Sequence, residues 1–291
     1  MLKPDATFGF AERIPVGVRR RIEQGVAGLR EQFVVDAREV GGAGQCDPLG
    51  EAQRDTPALV RKYGNRALLL VSGKCPVHCR YCFRRHESYT DAVDIGGFEA
   101  ALTAVAGDPE LREVILSGGD PLMVSDARLF EVMDALRSIE HVRRLRIHTR
   151  MPVVTPGRIG ARLVTGLAER QPVWVVVHIN HPNELDQRAV HALRALGSAG
   201  VPLLSQSVLL RGINDRVDIL AELFESLVDL GVRPYYLHAL DPVAGAAHFA
   251  VSDQEGRALM ESLRRCVSGI AMPTFVREVP GAPSKVVVRE T

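Results

Sequence analysis

The 291-residue chain is poor in the features that would assign it to several large classes of protein. Five cysteines are an odd number and suit a reducing compartment better than a disulfide scaffold. The 36 basic residues against 35 acidic ones show none of the positive excess typical of nucleic-acid binding. The longest apolar runs, such as PVWVVVHI, are too short to span a bilayer, and the start, MLKPDATFGF, does not resemble a secretory signal. We therefore expect a cytoplasmic protein that binds neither nucleic acid nor membranes.

Lysine is scarce as well. Of the 36 basic residues only four are lysines, namely Lys3, Lys62, Lys74 and Lys285. A GC-rich genome is sufficient to explain this average. Because lysines are so few, each one is a candidate for a specific chemical role.

A regular alternation of elements is present from residue 66 onward. Six apolar runs of strand length recur about every thirty residues, the spacing of βα units, and they are RALLLVSG, EVILSGGD, RLRIHTR, VWVVVHIN, PLLSQSVLL and RPYYLHAL. Between them, residues 129–139 and 220–230 carry helical apolar stripes, and a later helix carries Leu259, Leu263 and Cys266. Runs that are apolar throughout suit a parallel sheet buried on both faces. The pattern predicts an open doubly wound sheet or a partial barrel.

The first sixty residues lack this alternation. A helical segment is predicted near VRRRIEQGVAGLREQF, followed by a glycine-rich loop, EVGGAGQCDPLG. We divide the chain into an N-terminal extension (1–60), the repeating α/β part (61–270) and a C-terminal segment (271–291). Cys46 is expected to be an ordinary loop thiol, and Cys266 a core residue on its helix.

Polar residues stand where each of the six apolar runs ends. A cysteine-rich loop follows the first run, and SGGD, HTR, HINHPNE, SQS and HALD follow the others in turn. Packing alone gives no reason for polar groups at six strand ends. Because the carboxyl ends of parallel strands meet at one edge of the sheet, we expect a shared active-site face there.

Three of the five cysteines, Cys75, Cys79 and Cys82, lie in one short loop within LVSGKCPVHCRYCFRRH. Three thiolates can hold a [4Fe–4S] cluster that leaves one iron open, or a zinc ion with His78 or His86 as the fourth ligand. Structural zinc sites usually take pairs of ligands from two places, and this sequence has no second pair. We favour the cluster over zinc, and both over three inert thiols.

The spacing C-x-x-x-C-x-x-C after a first strand resembles the motif of the radical S-adenosylmethionine (SAM) superfamily. The resemblance implies a partial (β/α)6 TIM-type barrel with short N- and C-terminal extensions, in which SAM binds the open iron of the cluster. The SGGD stretch resembles the second motif of the superfamily, which contacts SAM. On this pattern the SAM-binding residues are Ser117, Gly118, Gly119, Asp120, His178 and Gln206.

Further stretches resemble one family, the lysine 2,3-aminomutases. They are ILSGGDPLM, HINHPNELD, SQSVLLRGIND, YYLHALDPVAGAAHF and REVPGAPSK, so that the likeness extends over residues 60–286. The branch it resembles most makes β-lysine for the modification of elongation factor P (EF-P). The resemblance implies conversion of L-α-lysine into β-lysine, pyridoxal 5′-phosphate (PLP) as a further cofactor, and an electron donor such as flavodoxin or ferredoxin. It also implies a functional link to an EF-P lysyl ligase, and it leaves homo-oligomerisation open.

The resemblance assigns roles to five residues. Lys285 matches the lysine that holds PLP as a Schiff base, and Arg66 matches an arginine that contacts the PLP phosphate. Arg84 matches the arginine that binds the substrate carboxylate, a task that suits a planar guanidinium fork. Asp241 and Glu278 match the two acids that bind the distal ammonium of the substrate.

The sequence departs from the family pattern in places. Val286 and Val287 replace a usual Thr-Pro pair, Glu278 replaces the aspartate of the free-standing lysine aminomutases, and Lys62 stands where the catabolic enzymes tend to have an arginine. One alternative function is a 2,3-aminomutase for glutamate or another amino acid, against which two acids placed for an ammonium argue. The other is a non-catalytic iron–sulfur or zinc-binding module, for which six functional strand ends would be excessive.

Overall fold

The computed structural model of the protein describes residues 9–87 and 95–289, so Lys3 lies outside the described residues. A single sheet forms the centre of this described part, and its strands are paired in chain order. They are β1 (Leu59–Lys62), β2 (Arg66–Ser72), β3 (Glu113–Gly118), β4 (Arg144–Thr149), β5 (Val173–His178), β6 (Leu203–Val208), β7 (Val232–His238), β8 (Thr274–Arg277) and β9 (Val286–Val287). Strands β2 to β8 run parallel, and β1 and β9 pair antiparallel at the two edges. The sheet stays unclosed, which confirms the predicted partial barrel.

All six predicted apolar runs form strands, β2 to β7. In β2, for example, six of the seven residues are buried, as expected for a strand covered on both faces. The sequence analysis missed β1, β8 and β9. They are only two to four residues long, and part of each is solvent-accessible, so each is too short to be recognised as a buried apolar run.

Helices precede the parallel strands and alternate with them along the chain. In the described residues they are α1 (Val16–Glu23), α2 (Arg30–Phe33), α3 (Ile95–Ala106), α4 (Asp126–Arg137), α5 (Met151–Val154), α6 (Ala161–Ala168), α7 (Gln187–Ser198), α8 (Val217–Asp229) and α9 (Asp253–Arg264). The predicted stripes of α4 and α8 are buried, and they join the strand side chains in one core. Within this described part, no helix has the length and apolar character needed to cross a membrane.

The helix predicted near residues 18–33 is broken into α1 and α2. Between them, Gly25 and Gly28 have φ angles of 75° and 76°, in the left-handed region that ends a helix. A Cβ on Gly28 would lie 2.3 Å from the ring of His181. Glycine therefore both breaks the helix and lets this segment lie against the loop that follows β5.

Cys266 is exposed, so the expectation that it belongs to the core was wrong. The helix α9 ends at Arg264, two residues earlier, and its stripe is completed by the buried Met260 and Leu263. Cys46 is an exposed loop thiol, as predicted. The proposed domain boundaries at residues 60 and 270 stay a prediction.

Candidate active site

The cluster loop, residues 73–87 after β2, is held in place by the N-terminal segment. Backbone N–H groups of His78 and Arg80 donate to the carbonyls of Arg13 (2.9 Å) and Gln32 (2.8 Å). The buried carboxylate of Glu39 accepts hydrogen bonds from the guanidinium groups of both Arg80 and Arg85. Burial alone would raise the pKa of Glu39, but the two arginines outweigh it and lower that pKa. A segment before the barrel thus fixes the path of the loop.

The change Glu39→Gln is expected to lower the free energy of unfolding by about 3 kcal/mol, because it leaves two buried guanidinium groups without their counter-charge. Denaturant unfolding at neutral pH measures this loss. The matched control is Glu261→Gln, which breaks an exposed pair with Arg265 and should cost less than about 1 kcal/mol. Equal losses in the two variants would contradict the role given to Glu39.

The three cysteines of the loop are reduced, and their sulfurs lie within electrostatic reach of one another. Burial, and then the neighbouring Cys82, raises the pKa of Cys75. Burial, and then Cys79, raises the pKa of Cys82 to about 11. A thiol that resists ionisation because it is buried becomes a thiolate when a cation replaces its proton.

The arrangement of the three thiols is compatible with a cluster. Within residues 9–87 and 95–289, no three His, Cys, Asp or Glu side chains converge on a point where one metal ion could bind. The two histidines considered as zinc ligands each have one ring nitrogen beside a backbone carbonyl: His78 Nδ1 lies 2.6 Å from that of Ala11, and His86 Nε2 lies 3.0 Å from that of Ala244. A four-iron cluster needs wider spacing, because each cysteine binds a different iron.

The SGGD turn at the end of β3 packs directly on the backbone that enters the cluster loop. The N–H of Gly119 donates to the carbonyl of Ser72 (2.7 Å), and the N–H of Asp120 donates to that of Lys74 (2.9 Å). Gly118 has φ +115°, and a Cβ on either glycine would lie 2.3 Å from one of these two carbonyl oxygens. Glycine is thus required at both positions because two main chains are in contact there, a requirement that the sequence alone did not show. Their contact with SAM stays a prediction.

The carboxylate of Asp120 is buried and hydrogen-bonded within the protein. It accepts from the N–H of Leu122 (2.9 Å), from Thr149 Oγ1 (2.9 Å) and from the N–H of Arg150 (2.8 Å). These bonds favour a role in holding the turn against β4. Ser117 Oγ, by contrast, accepts from Arg84 Nη1 at 3.0 Å and so connects the turn with the predicted substrate arginine.

A line of ion pairs connects Arg84 with Lys285. Arg84 Nε contacts Glu51 Oε2 (2.7 Å), and Lys62 Nζ contacts Glu51 Oε1 (2.9 Å). Lys62 Nζ also lies 3.7 Å from Glu278 Oε1, and the other oxygen of Glu278 accepts from Lys285 Nζ. The structure therefore connects Arg84 with Glu278 and Lys285, which lie far later in the sequence, and all three were predicted to belong to the site.

Glu51 and Tyr63 belong to this line but were missed by the sequence analysis. Burial works to raise the pKa of Glu51, yet Arg84 and Lys62 lower it to about 2. The hydroxyl of Tyr63 donates to Glu278 at 2.7 Å. Nothing in the spacing of Glu51, next to a glycine-rich loop, indicated a partner 33 residues away.

Asp241, in the loop after β7, has an unusual titration. Burial, and then the charge of Glu278, raises its pKa to about 7, although Lys285 and Lys62 act in the opposite direction and Glu51 adds to the rise. Near neutral pH the carboxyl is therefore partly protonated, and a bound cation would favour its ionised form.

The change Asp241→Asn is expected to stabilise the ligand-free protein at pH 8 by about 4 kcal/mol. The folded wild type holds a proton that the unfolded chain has lost between about pH 4 and 7, so its stability falls as the pH rises through that window. Asparagine carries no such penalty, and the difference should vanish near pH 4. Denaturant unfolding at several pH values checks this. An Asp241→Asn variant less stable than wild type at pH 8 would contradict it.

Arg66, the residue predicted to contact the PLP phosphate, lies near two tyrosines. Arg66 stands at the start of β2, with its guanidinium 5.3 Å from the ring centre of Tyr63. The guanidinium of Arg66 also interacts electrostatically with Tyr236. The ring centre of Tyr236 is 5.8 Å from Lys285 Nζ.

The two predicted SAM residues on neighbouring strands, His178 and Gln206, are paired in register. His178 Nε2 lies 3.1 Å from the hydroxyl of Tyr81 in the cluster loop, and burial holds the pKa of this histidine well below its usual range.

This combination of fold and site has a counterpart among known proteins. The profile of the radical SAM superfamily matches residues 69–224, more than half of the chain. Among solved structures, SuiB of Streptococcus suis bound to S-adenosylmethionine is similar in fold, with a TM-score of 0.58 and 14% identity over 76% of this chain and 52% of that one. The chain thus belongs to the radical SAM superfamily, and it is an enzyme that binds SAM and a [4Fe–4S] cluster.

Relatives of higher identity specify the family. The L-lysine 2,3-aminomutase of Escherichia coli is 47% identical over 282 residues, 95% of this chain and 82% of the relative. That of Haemophilus influenzae is 46% identical over 84% of this chain and 73% of the relative. Within the superfamily, the chain belongs to the lysine 2,3-aminomutase family and is an isomerase of the radical SAM aminomutase type.

Proposed function

We propose that the protein is a PLP-dependent L-lysine 2,3-aminomutase that converts L-α-lysine into β-lysine. The observation that carries the proposal is the line of ion pairs from Arg84 to Glu278 and Lys285. It provides a cation, Arg84, for a carboxylate at one end and an acid, Glu278, at the other, and Glu278 is close enough to Asp241 to raise the pKa of that second acid. L-Lysine has the complementary charges, a carboxylate at one end and an ammonium at the other.

The residues around Lys285 fit PLP. The amine is held by Glu278, and the nearby His148 Nε2 is buried without a hydrogen-bond partner among the described residues. Burial, followed by the charges of Arg146 and Lys285, keeps the pKa of His148 well below its usual range. His148 is therefore neutral and able to donate or accept one bond. We assign Lys285 to covalent attachment of PLP, Arg66 to its phosphate and His148 to a polar atom of its ring.

The protein's own part is to orient the substrate and to exclude water. When bound, the cluster and SAM supply a carbon radical, and PLP supplies a π-system able to carry the migrating nitrogen. Arg84 fixes the carboxylate, and Asp241 with Glu278 fixes the ammonium, so that C3 of lysine is held at one place. Binding of the ammonium beside Asp241 would lower the raised pKa of that carboxyl and make the pair a better clamp.

We extend the proposal to the supply of β-lysine for EF-P, together with a ligase that transfers it. Glu278, in place of the aspartate of the free-standing enzymes, supports this branch. A flavodoxin or ferredoxin would supply the electron, and a reducing cytoplasm suits the free thiols. Whether the enzyme works as a homo-oligomer is a separate question, answered by light scattering of the loaded protein.

The deciding experiment is an anaerobic assay of the purified chain with L-lysine, SAM and a strong reductant. Iron, sulfide and PLP are measured first, and the products are then separated by chromatography from the substrate, which has the same mass, and identified by their fragmentation in mass spectrometry. We expect β-lysine. Zinc in place of iron and sulfide would exclude the reaction class, and absence of β-lysine from fully loaded protein would exclude the substrate. L-Glutamate in a parallel reaction tests the alternative aminomutase, which the paired acids disfavour. For the EF-P branch, EF-P from cells without the gene should lose the mass of β-lysine.

A further inference from the structure

Arg150, directly after β4, lies against one of the cluster cysteines. Its side chain is buried, with only 6% exposed. The Nη1 atom donates a hydrogen bond to Cys79 Sγ at 2.8 Å and also contacts the hydroxyl of Tyr81. The Nη2 atom donates to Gln32 Oε1 (2.6 Å) and Glu184 Oε2 (2.7 Å). One planar group thus joins the cluster loop, the N-terminal segment and the loop after β5.

The orientation of this guanidinium is fixed from several sides. It lies 4.7 Å from the ring centre of Phe33 and 5.7 Å from that of Tyr81. Its partner Glu184 is itself held, because Oε1 accepts from the N–H groups of Asn180 (2.8 Å) and His181 (3.1 Å). A salt bridge with Glu184 would need only one edge of the guanidinium. The geometry directs the other nitrogen to the sulfur.

We infer that Arg150 is a positioning residue that acts through Cys79 to raise the reduction potential of the cluster. One-electron reduction adds a negative charge to a group already held by three thiolates, and hydrogen bonds to the sulfurs are among the factors that set cluster potentials. A buried cation that donates to a ligand sulfur stabilises the reduced form more than the oxidised form. The inference needs only the cluster of the superfamily and is independent of the substrate.

The nearby cations have other partners. Arg80 and Arg85 share the carboxylate of Glu39, and Arg84 is paired with Glu51. Arg150 also has a counter-ion, Glu184, which reduces the effect of its charge on the cluster. Removing the arginine and neutralising the glutamate should therefore shift the potential in opposite directions.

The test is a redox titration of the reconstituted protein without SAM or substrate, followed by electron paramagnetic resonance of the reduced cluster. In Arg150→Gln the equilibrium constant for one-electron reduction should fall at least about tenfold, equal to a potential about 59 mV lower. In Glu184→Gln the potential should rise. Arg150→Lys, which keeps the charge, should recover part of the loss. Iron and sulfide content is measured in every sample.

A matched control is Arg158→Gln, which removes another partly buried arginine. Arg158 donates to the carbonyls of Leu122 and Val124 and pairs with Asp126, so its loss should leave the potential unchanged. An unchanged potential in fully loaded Arg150→Gln would overturn the inference, as would an equal shift in the control. If Arg150→Gln does not hold a cluster, Glu184→Gln decides, and a potential at or below that of the wild type overturns it.

Discussion

Replacing Lys285 by alanine is expected to abolish the covalent attachment of PLP and, with it, β-lysine formation. In the structure the Lys285 amine contacts Glu278 and lies over the ring of Tyr236, with three-quarters of the side chain covered. A lysine of this kind is partly desolvated yet still reachable, as a nucleophilic amine must be. Absorbance of the bound cofactor, and the mass of the protein after borohydride reduction, report attachment without requiring turnover.

Lys62 provides the matched control for this change. It is a second lysine beside the same carboxylate, 3.7 Å from Glu278 Oε1, and its side chain is more deeply buried than that of Lys285. Lys62→Ala should retain the covalently bound cofactor, although loss of its pair with Glu51 weakens the site. Retention of covalent PLP in Lys285→Ala, with its loss in Lys62→Ala, would transfer the assignment to Lys62.

The alternating part of the fold was predictable because its signals are local. Each of the strands β2 to β7 is an apolar run. In the helices, successive apolar residues of a stripe are only three or four positions apart. The cysteine spacing is also local, so the cluster loop could be recognised without knowledge of the fold. Lys285 was a candidate because lysine is scarce and because its surrounding sequence resembles a family motif.

The site residues that were missed depend on long-range contacts. Glu51 can be assigned to the site only because the fold places its carboxylate between Arg84 and Lys62. Arg150 was noticed only as a polar residue at a strand end, and no spacing could show that its guanidinium points to Cys79. The break after α1 has the same origin, because Gly28 is required by the ring of His181, more than 150 positions later. Contacts of this kind are determined by packing, which sequence periodicity does not encode.

The ion pairs of the site have a consequence for substrate binding. Glu51 contacts the guanidinium that we assign to the substrate carboxylate, and Glu278 contacts both Lys62 and Lys285. These buried charges are thus paired within the protein. Under the proposed function, a substrate that used the same groups would exchange these pairs for others, so the net free energy of binding would be a difference between two sets of contacts.

Arg84→Lys should therefore be far from conservative. Arg84 uses Nε for Glu51 and Nη1 for Ser117 Oγ and the carbonyl of Gly118, a planar arrangement that an ammonium cannot reproduce. We expect the KM for L-lysine to rise about 100-fold, equal to about 2.8 kcal/mol, with the iron and sulfide content unchanged. Arg216→Lys, at an exposed pair with Asp218, is the control and should leave KM unaltered. A KM within about twofold of wild type, where surface exchanges usually fall, would mean that another group binds the carboxylate. The contacts of Arg84 within the protein would then be structural only.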